Sequence, residues 1–275
     1  MINNHEKAHI LIEALPFIRK YSGKTVVIKY GGSAMIDEEM KNEFIKDVVL
    51  MKYVGINPVI IHGGGPEINT MLEKIGKETR FVEGNRVSDK ETVEIAEMVL
   101  SAKLNKGIVA DINNNGGKAV GLSGKDGNLI LAKKKYIEKD NEKIDIGYVG
   151  EVIKINPELI NILVEKDYIP VISSIGYDKE GNTYNINADY VAGGIAGVLD
   201  AFRLMFLTDV DGILRDSEDK KTLIAEITKN EVLELIKDQT ISGGMLPKVN
   251  TCLNAIDKGV KNVIILNGKV KHSIL

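Results

Sequence analysis

Two lysines and one carboxylate stand where this chain could use them for chemistry. Lys29 falls at the end of the strand-like run "TVVIKY", just before Gly31 and Gly32. Lys248 lies in "SGGMLPKVN", one turn into a predicted helix that opens on Gly243 and Gly244. Asp189 falls in the first turn of the helix predicted by "NINADYVAGG", with Asn187 as N-cap. A third glycine cluster, Gly63 to Gly65, follows the run "PVIIH". Each feature has a plain structural use. Lysines commonly end strands at solvent, acidic residues favour first helical turns, and a single Gly-Gly pair marks a turn. Their combination reads differently. Glycines let backbone N–H groups approach phosphate, and helix N-termini add partial positive charge. A helix start is a poor place for a lysine unless an anion is shared there. Two cations, one carboxylate and three glycine-rich turns on one rim suit phosphoryl transfer, which needs positioning and charge neutralisation.

The elements that must carry these residues alternate along the chain. Residues 6–21 place Ile10, Leu11, Ala14, Leu15 and Ile18 at helical spacing, with Pro16 inside. Strands are predicted at "TVVIKY", "PVIIH", "YIPVISSIG", "RLMFLTDV" and "NVIIL". Helices are predicted over 37–54, 66–75, 88–105, 188–199, 229–237 and 244–258. The third opens on a capping box of Ser88 and Glu91. This rhythm predicts an α/β fold: a three-layer αβα sandwich on one continuous, mainly parallel open sheet. Short runs over 118–155 predict β-hairpins projecting from that sheet.

Composition sets limits on function. A chain of 275 residues with net charge −3 carries no basic excess for nucleic acid or membrane surfaces. No apolar run reaches a membrane span, and the start lacks the order of a signal peptide. The one cysteine, Cys252, forms no internal disulfide, which fits a reducing, cytoplasmic location. No metal-ligand spacing is present; His5 and His9 suit an exposed helix face. The G-x-x-x-x-G-K-[ST] and G-x-G-x-x-G phosphate loops are absent. "HGGG" at His62 has no G-x-S-x-G partner that would make it an esterase oxyanion loop.

In order, "VVIKYGG", "VIIHGGGPEIN", "GNRVS", "NINADYVAG", "LTDVDGI" and "GGMLPKV" resemble the amino acid kinase family over almost the whole chain. "HGGGPEIN" with "GNRVS" is similar to the members that phosphorylate N-acetyl-L-glutamate for arginine synthesis. The resemblance implies an amino acid kinase-like fold and an ATP-dependent kinase using Mg2+. It makes Lys29 and Lys248 the lysines that stabilise the transferring phosphoryl group, with Asp189 orienting both. It gives Gly31 and Gly32 to the phosphates. Gly64, Gly65, Arg86 and Asn185 go to the acyl amino acid, whose carboxylate Arg86 would clamp. Thr208, Asp209 and Asp211, with Ser242, Gly243, Gly244 and Met245, resemble the nucleotide half. Residues 23–275 then form one domain, with an N-lobe of about 23–185 and a C-lobe of about 186–275. In arginine-sensitive members, a helix like residues 1–22 interlaces dimers into a hexamer and helps form an allosteric L-arginine site. Tyr21 and Ser22 lie at the matching junction here. Family members continue past a segment like "HSIL" into a further strand, and this chain stops at Leu275. A kinase of another acyl amino acid, such as an aminoadipate derivative, and a catalytically silent sensor stay open at this point.

Overall fold

The computed structural model describes residues 3–35, 37–139, 142–216 and 218–275. In chain order come α1 (Asn4–Tyr21), β1 (Thr25–Tyr30), α2 (Glu38–Tyr53), β2 (Asn57–His62) and α3 (Gly65–Lys74). The short strands β3 (Phe81–Val82) and β4 (Asn85–Arg86) follow, then α4 (Lys90–Glu97), a π-helical stretch (Met98–Leu104), α5 (Asn105–Asn114) and β5 (Ala119–Leu122). The second half holds β6 (Ile130–Lys139), β7 (Glu142–Ile155), α6 (Glu158–Glu165), β8 (Ile169–Ser173), β9 (Ile175–Tyr177) and β10 (Thr183–Asn185). It ends with α7 (Ala188–Val198), β11 (Arg203–Thr208), α8 (Lys229–Lys237), α9 (Met245–Asp257) and β12 (Val263–Asn267).

The main sheet runs β12-β11-β1-β2-β8-β5 with every pair parallel. Its strands read as near-continuous apolar runs because both faces are covered. Val27, Val59, Ile61, Ile172, Leu204 and Phe206 pack with Val191 and Ile195 of α7 and Ala255 of α9. The alternate residues Val26, Ile28, Ile60, Val171 and Met205 pack with α2 and α5 through Phe44, Ile45, Val48, Ile108 and Ile112. This is the expected αβα sandwich. β1 pairs with β2 on one side and β11 on the other. The connections diverge there, so the carboxyl ends of these strands open a crevice.

In the middle of the chain the expected hairpin is present, with β6 and β7 pairing antiparallel, but two details differ. β5 is no hairpin strand; it pairs with β8 as the edge of the main sheet. The run "YIPVISSIG" splits: β8 ends in the main sheet, and β9 enters a closed four-stranded barrel with β6, β7 and β10. The six-stranded open sheet is continuous, and the barrel is a second, separate sheet. The predicted cap also moves by one residue. Ser88 is buried, and its backbone is engaged by Ile146 and Tyr148, so Asp89 caps α4 by accepting from the Thr92 amide. The helix then continues through the π-helical stretch to Asn114, past the predicted end at 105.

α1 forms with a capping box from Asn3 and Glu6 and accommodates Pro16, but buries none of its residues. Leu11, Ile12 and Phe17 are each about two-thirds exposed. Its last turn is anchored, with Tyr21 edge-on to Phe202 at 5.5 Å and Arg203 stacked over the Tyr21 ring. Among the described residues, no helix is long and apolar enough to cross a membrane.

His62 ends β2 fully buried. Its Nδ1 lies 2.9 Å from the Gly63 carbonyl, which can only accept, so Nδ1 carries the proton. Nε2 then accepts from the Asn105 amide at 3.1 Å. The same amide reaches the Val171 carbonyl at 2.9 Å, tying α5 to β2 and β8. "HGGG" is thus a structural clamp at this position. Burial pushes His62 down to about 4, so the folded protein keeps the ring neutral where the unfolded chain would charge it. Its stabilisation is complete above the ordinary histidine range and is lost as pH falls from about 6.5 towards 4, by about 3 kcal/mol in all. Denaturant unfolding across that window should show a steeper loss of stability in the native protein than in a His62→Gln variant. Parallel curves would mean that His62 does not titrate with folding.

Candidate active site

The crevice holds a cleft of about 320 Å³ whose lining includes Lys29, Gly31, Gly32, Gly64, Gly65, Arg86, Asn185 and Asp189. A smaller adjoining cavity is lined by Lys29 and Asp189 again, now with Thr208, Lys248 and Cys252. Lys29 and Asp189 are therefore the wall between two spaces. Lys29 arrives there because it is the penultimate residue of β1, near the carboxyl edge of the sheet and beside Ile61 and Phe206. Asp189 arrives from the opposite side, in the first turn of α7, whose Asn187 cap accepts from the Asp189 amide.

Lys29 Nζ and Asp189 Oδ1 approach to 3.1 Å. That oxygen is buried and lacks an aligned hydrogen bond, so the contact is an ion pair held by charge. Lys248 rises one turn into α9, and its ammonium donates to Thr208 Oγ1 at 2.5 Å. Gly31 runs so close to Lys29 that an added methyl would sit 2.9 Å from its ammonium. Gly32 has φ +70°, a backbone that favours glycine, and faces Asp209.

The other end of the cleft is made by different elements. Arg86 lies on β4, nearly buried, donating to Asn69 Oδ1 at 2.6 Å and to the Gly65 carbonyl at 3.1 Å. Phe81 stacks on its guanidinium from β3. Burial lowers the Arg86 pKa, as expected for a cation taken out of water. Gly64 opens α3 where an added methyl would sit 2.2 Å from Leu104 and 2.7 Å from the buried Leu100. The π-helical stretch, which carries both leucines, thus presses directly on the glycine turn.

The remaining expected residues are gathered less tightly. Asp211 accepts from Asn267 at 2.6 Å, which lowers its pKa, and Lys220 at 3.5 Å adds to the effect. Ser242, Gly243 and Gly244 are exposed in the turn before α9, and Met245 packs into the α8–α9 cluster. Asp211 and these four line neither cavity.

Several lining residues were not singled out from the sequence. Glu67, in the first turn of α3, lines the cleft with a buried Oε2 that has no hydrogen-bond partner. It stands inside the quoted run "VIIHGGGPEIN", so its place beside the glycines was the available signal. Cys252 closes the smaller cavity, where burial and the nearby Asp189 push its thiol up to about 12 and keep it neutral. Among the described residues, no group of three or more His, Cys, Asp or Glu is arranged to hold a metal.

Comparison with known proteins agrees with this geometry. The acetylglutamate kinase of Methanococcus aeolicus is 56% identical, over 100% of this chain and 95% of its own length. The solved N-acetylglutamate synthase from Neisseria gonorrhoeae, complexed with coenzyme A and N-acetyl-glutamate, superposes with a TM-score of 0.82 at 23% identity. It is matched over 97% of this chain and 59% of that one. Giardia carbamate kinase superposes with a TM-score of 0.66 at 19% identity, over 90% of this chain and 93% of its own. These two structural likenesses speak for the fold alone. The sequence model of the amino acid kinase family matches residues 24–267, and with that span and the full-length relative, this chain belongs to the amino acid kinase family.

Proposed function

We propose that this protein transfers the γ-phosphoryl group of ATP to the γ-carboxylate of N-acetyl-L-glutamate, giving N-acetyl-L-glutamyl 5-phosphate and ADP, a step of arginine biosynthesis in the cytoplasm. The observation that carries the reading is the shared wall of Lys29 and Asp189 between a cleft with a buried arginine and a cavity that holds Lys248. The acyl amino acid lies in the cleft, its α-carboxylate on Arg86 and its amide near Asn185, Gly64 and Gly65. The nucleotide comes from the Lys248 side as its magnesium complex, so the metal belongs to the substrate. Thr208, Asp209, Asp211 and the turn from Ser242 to Met245 make the nucleotide half, and the lobes divide near residue 185.

A γ-carboxylate oxygen forms the new bond to phosphorus as the bond to the β,γ-bridging oxygen breaks, and ADP leaves with that electron pair. The attacking carboxylate is already ionised at neutral pH, so no proton has to move. Catalysis then falls to positioning and to cations aimed at the migrating charge. Lys29 and Lys248 supply those cations, Asp189 fixes Lys29, and Gly31 and Gly32 offer backbone N–H groups to the phosphates.

α1 extends the reading to assembly. Its exposed apolar side chains would each contribute about 1.5–3 kcal/mol if buried. A second copy of α1 is the matching surface, giving dimers joined into a hexamer. Feedback by L-arginine near Tyr21 and Ser22 belongs to the same reading.

An ADP-release assay with N-acetyl-L-glutamate, glutamate, aspartate and carbamate tests the substrate. The acetylated compound should turn over and free glutamate scarcely; faster turnover of glutamate or aspartate would overturn the assignment. Lys29→Ala and Lys248→Ala should each lower kcat on the order of 10²–10³-fold. Arg86→Lys should chiefly raise KM for the amino acid, because lysine lacks the planar fork. Removing residues 1–20 should leave an active dimer by light scattering, with no arginine response; an oligomer of unchanged size would refute the role of α1.

A further inference from the structure

Three successive lysines on β6 behave differently. Lys133 meets Glu151 at 2.6 Å and Lys134 meets Asp145 at 2.7 Å, both at the surface. Lys135 has no carboxylate partner among the described residues. It is half-buried, and burial lowers its pKa despite the charge of Glu151 nearby.

A break in the β6–β7 ladder separates it from its neighbours. Lys134 pairs with Gly150, yet Tyr136 pairs with Asp145, so residues 146–149 peel away opposite Lys135. Those residues bond to Ser88 and β10 instead, and Val149 reaches the cleft. The Ile146 carbonyl accepts from the Ser88 amide, the Tyr148 amide donates to the Ser88 carbonyl, and Val149 pairs with Asn185. Gly147 makes the departure possible. It has φ +77°, and a methyl there would sit 2.1 Å from the Ser88 carbonyl oxygen. Irregularities of this kind re-aim side chains beside binding sites.

Re-aimed, Lys135 reaches Asn85 Oδ1 at 3.2 Å, and its ammonium lies 5.3 Å from the centre of the Tyr190 ring. Asn85 stands at the tip of the β3–β4 hairpin, where its amide also holds the Glu83 carbonyl at 2.9 Å, and it lines the cleft beside Arg86. Tyr190 follows Asp189 in the first turn of α7. One ammonium therefore spans from the hairpin that carries Arg86 to the helix that carries Asp189.

We propose that Lys135 is a positioning residue for the amino acid end of the cleft, holding the β3–β4 hairpin, and with it Arg86, against the start of α7 through Asn85. Its kinetic consequence rests on the substrate reading above; its structural consequence does not. Lys135→Met should raise KM for N-acetyl-L-glutamate about tenfold, the scale of a lost charge-assisted hydrogen bond, with kcat and KM for ATP within about twofold. Asn85→Ala should do the same, and the double variant should add little, because both remove one contact. Lys135→Arg should restore most of the affinity. Hydrogen exchange on the substrate-free protein gives a second readout, with the amides of residues 81–86 exchanging faster in Lys135→Met. Unchanged exchange there, or a fall in kcat with KM unmoved, overturns the proposal. Should Lys135→Met fail to fold, Asn85→Ala carries the same test from the other partner. Faster hairpin exchange in a protein that ignores N-acetyl-L-glutamate would refute the substrate and leave the positioning role standing.

Discussion

An ammonium must end a strand that is otherwise packed on both faces, and much of the site's construction follows from that. Lys29 shares β1 with Val26, Val27 and Ile28, all within 1% of full burial. A charge so placed costs several kcal/mol unless a partner and an opening are provided together. Both come from the topology. The carboxyl end of β1 lies where the sheet's connections diverge, and Asp189 crosses to it from α7. α7 can lie that close because its buried face is built of small residues, among them Ala192, Gly193, Gly194 and Ala196. Gly197 continues this face towards α9, where an added methyl would stand 3.1 Å from the Lys258 carbonyl oxygen. The close contact of α7 and α9 is what lets Lys248 come up beside the same carboxylate.

The two ends of the site are held by different means. Lys29 and Asp189 stand on a strand and a helix of the sandwich, which are rigid because they are packed. Arg86 stands on a two-residue strand, and the barrel must steady it from outside. β7 serves that purpose by leaving its own ladder to bridge Ser88, two residues after Arg86, and to pair with Asn185. The barrel is thus a support for the Arg86 end of the cleft, attached to the sandwich through the join of β8 and β9.

What the sequence disclosed follows from how local each signal is. β1, β2 and α7 were legible because apolar runs, a glycine turn and an Asn cap act within a few residues. Lys29 and Asp189 could be placed at strand and helix ends before either was seen in space. The barrel was hidden because it closes through single-residue parallel contacts, Asn185 with Val149 and Leu131 with Tyr177, between distant segments. Ser88 and Asp89 are both competent caps, and only the distant β7 backbone decides between them. Lys135 carries no local signal, since the slip that re-aims it lies in the partner strand.

The cations around the cleft share a pattern that bears on their use. Lys248 is held by the Thr208 hydroxyl, Lys135 by the Asn85 amide oxygen, and Arg86 by the Asn69 amide oxygen and the Gly65 carbonyl. All of these are neutral acceptors. A carboxylate in their place would fix the side chain equally well, but it would cancel the charge and compete with an anionic substrate. A neutral oxygen fixes direction while leaving the field intact. Of the cations named here, Lys29 is ion-paired, and its partner Asp189 faces both cavities. Two carboxylates in one space repel, so on the proposed reading a γ-carboxylate beside Asp189 depends on the cations around it. On the proposed reading, Arg86 at the far end of the cleft meets the acceptor's carboxylate and Lys248, in the smaller cavity, meets the triphosphate.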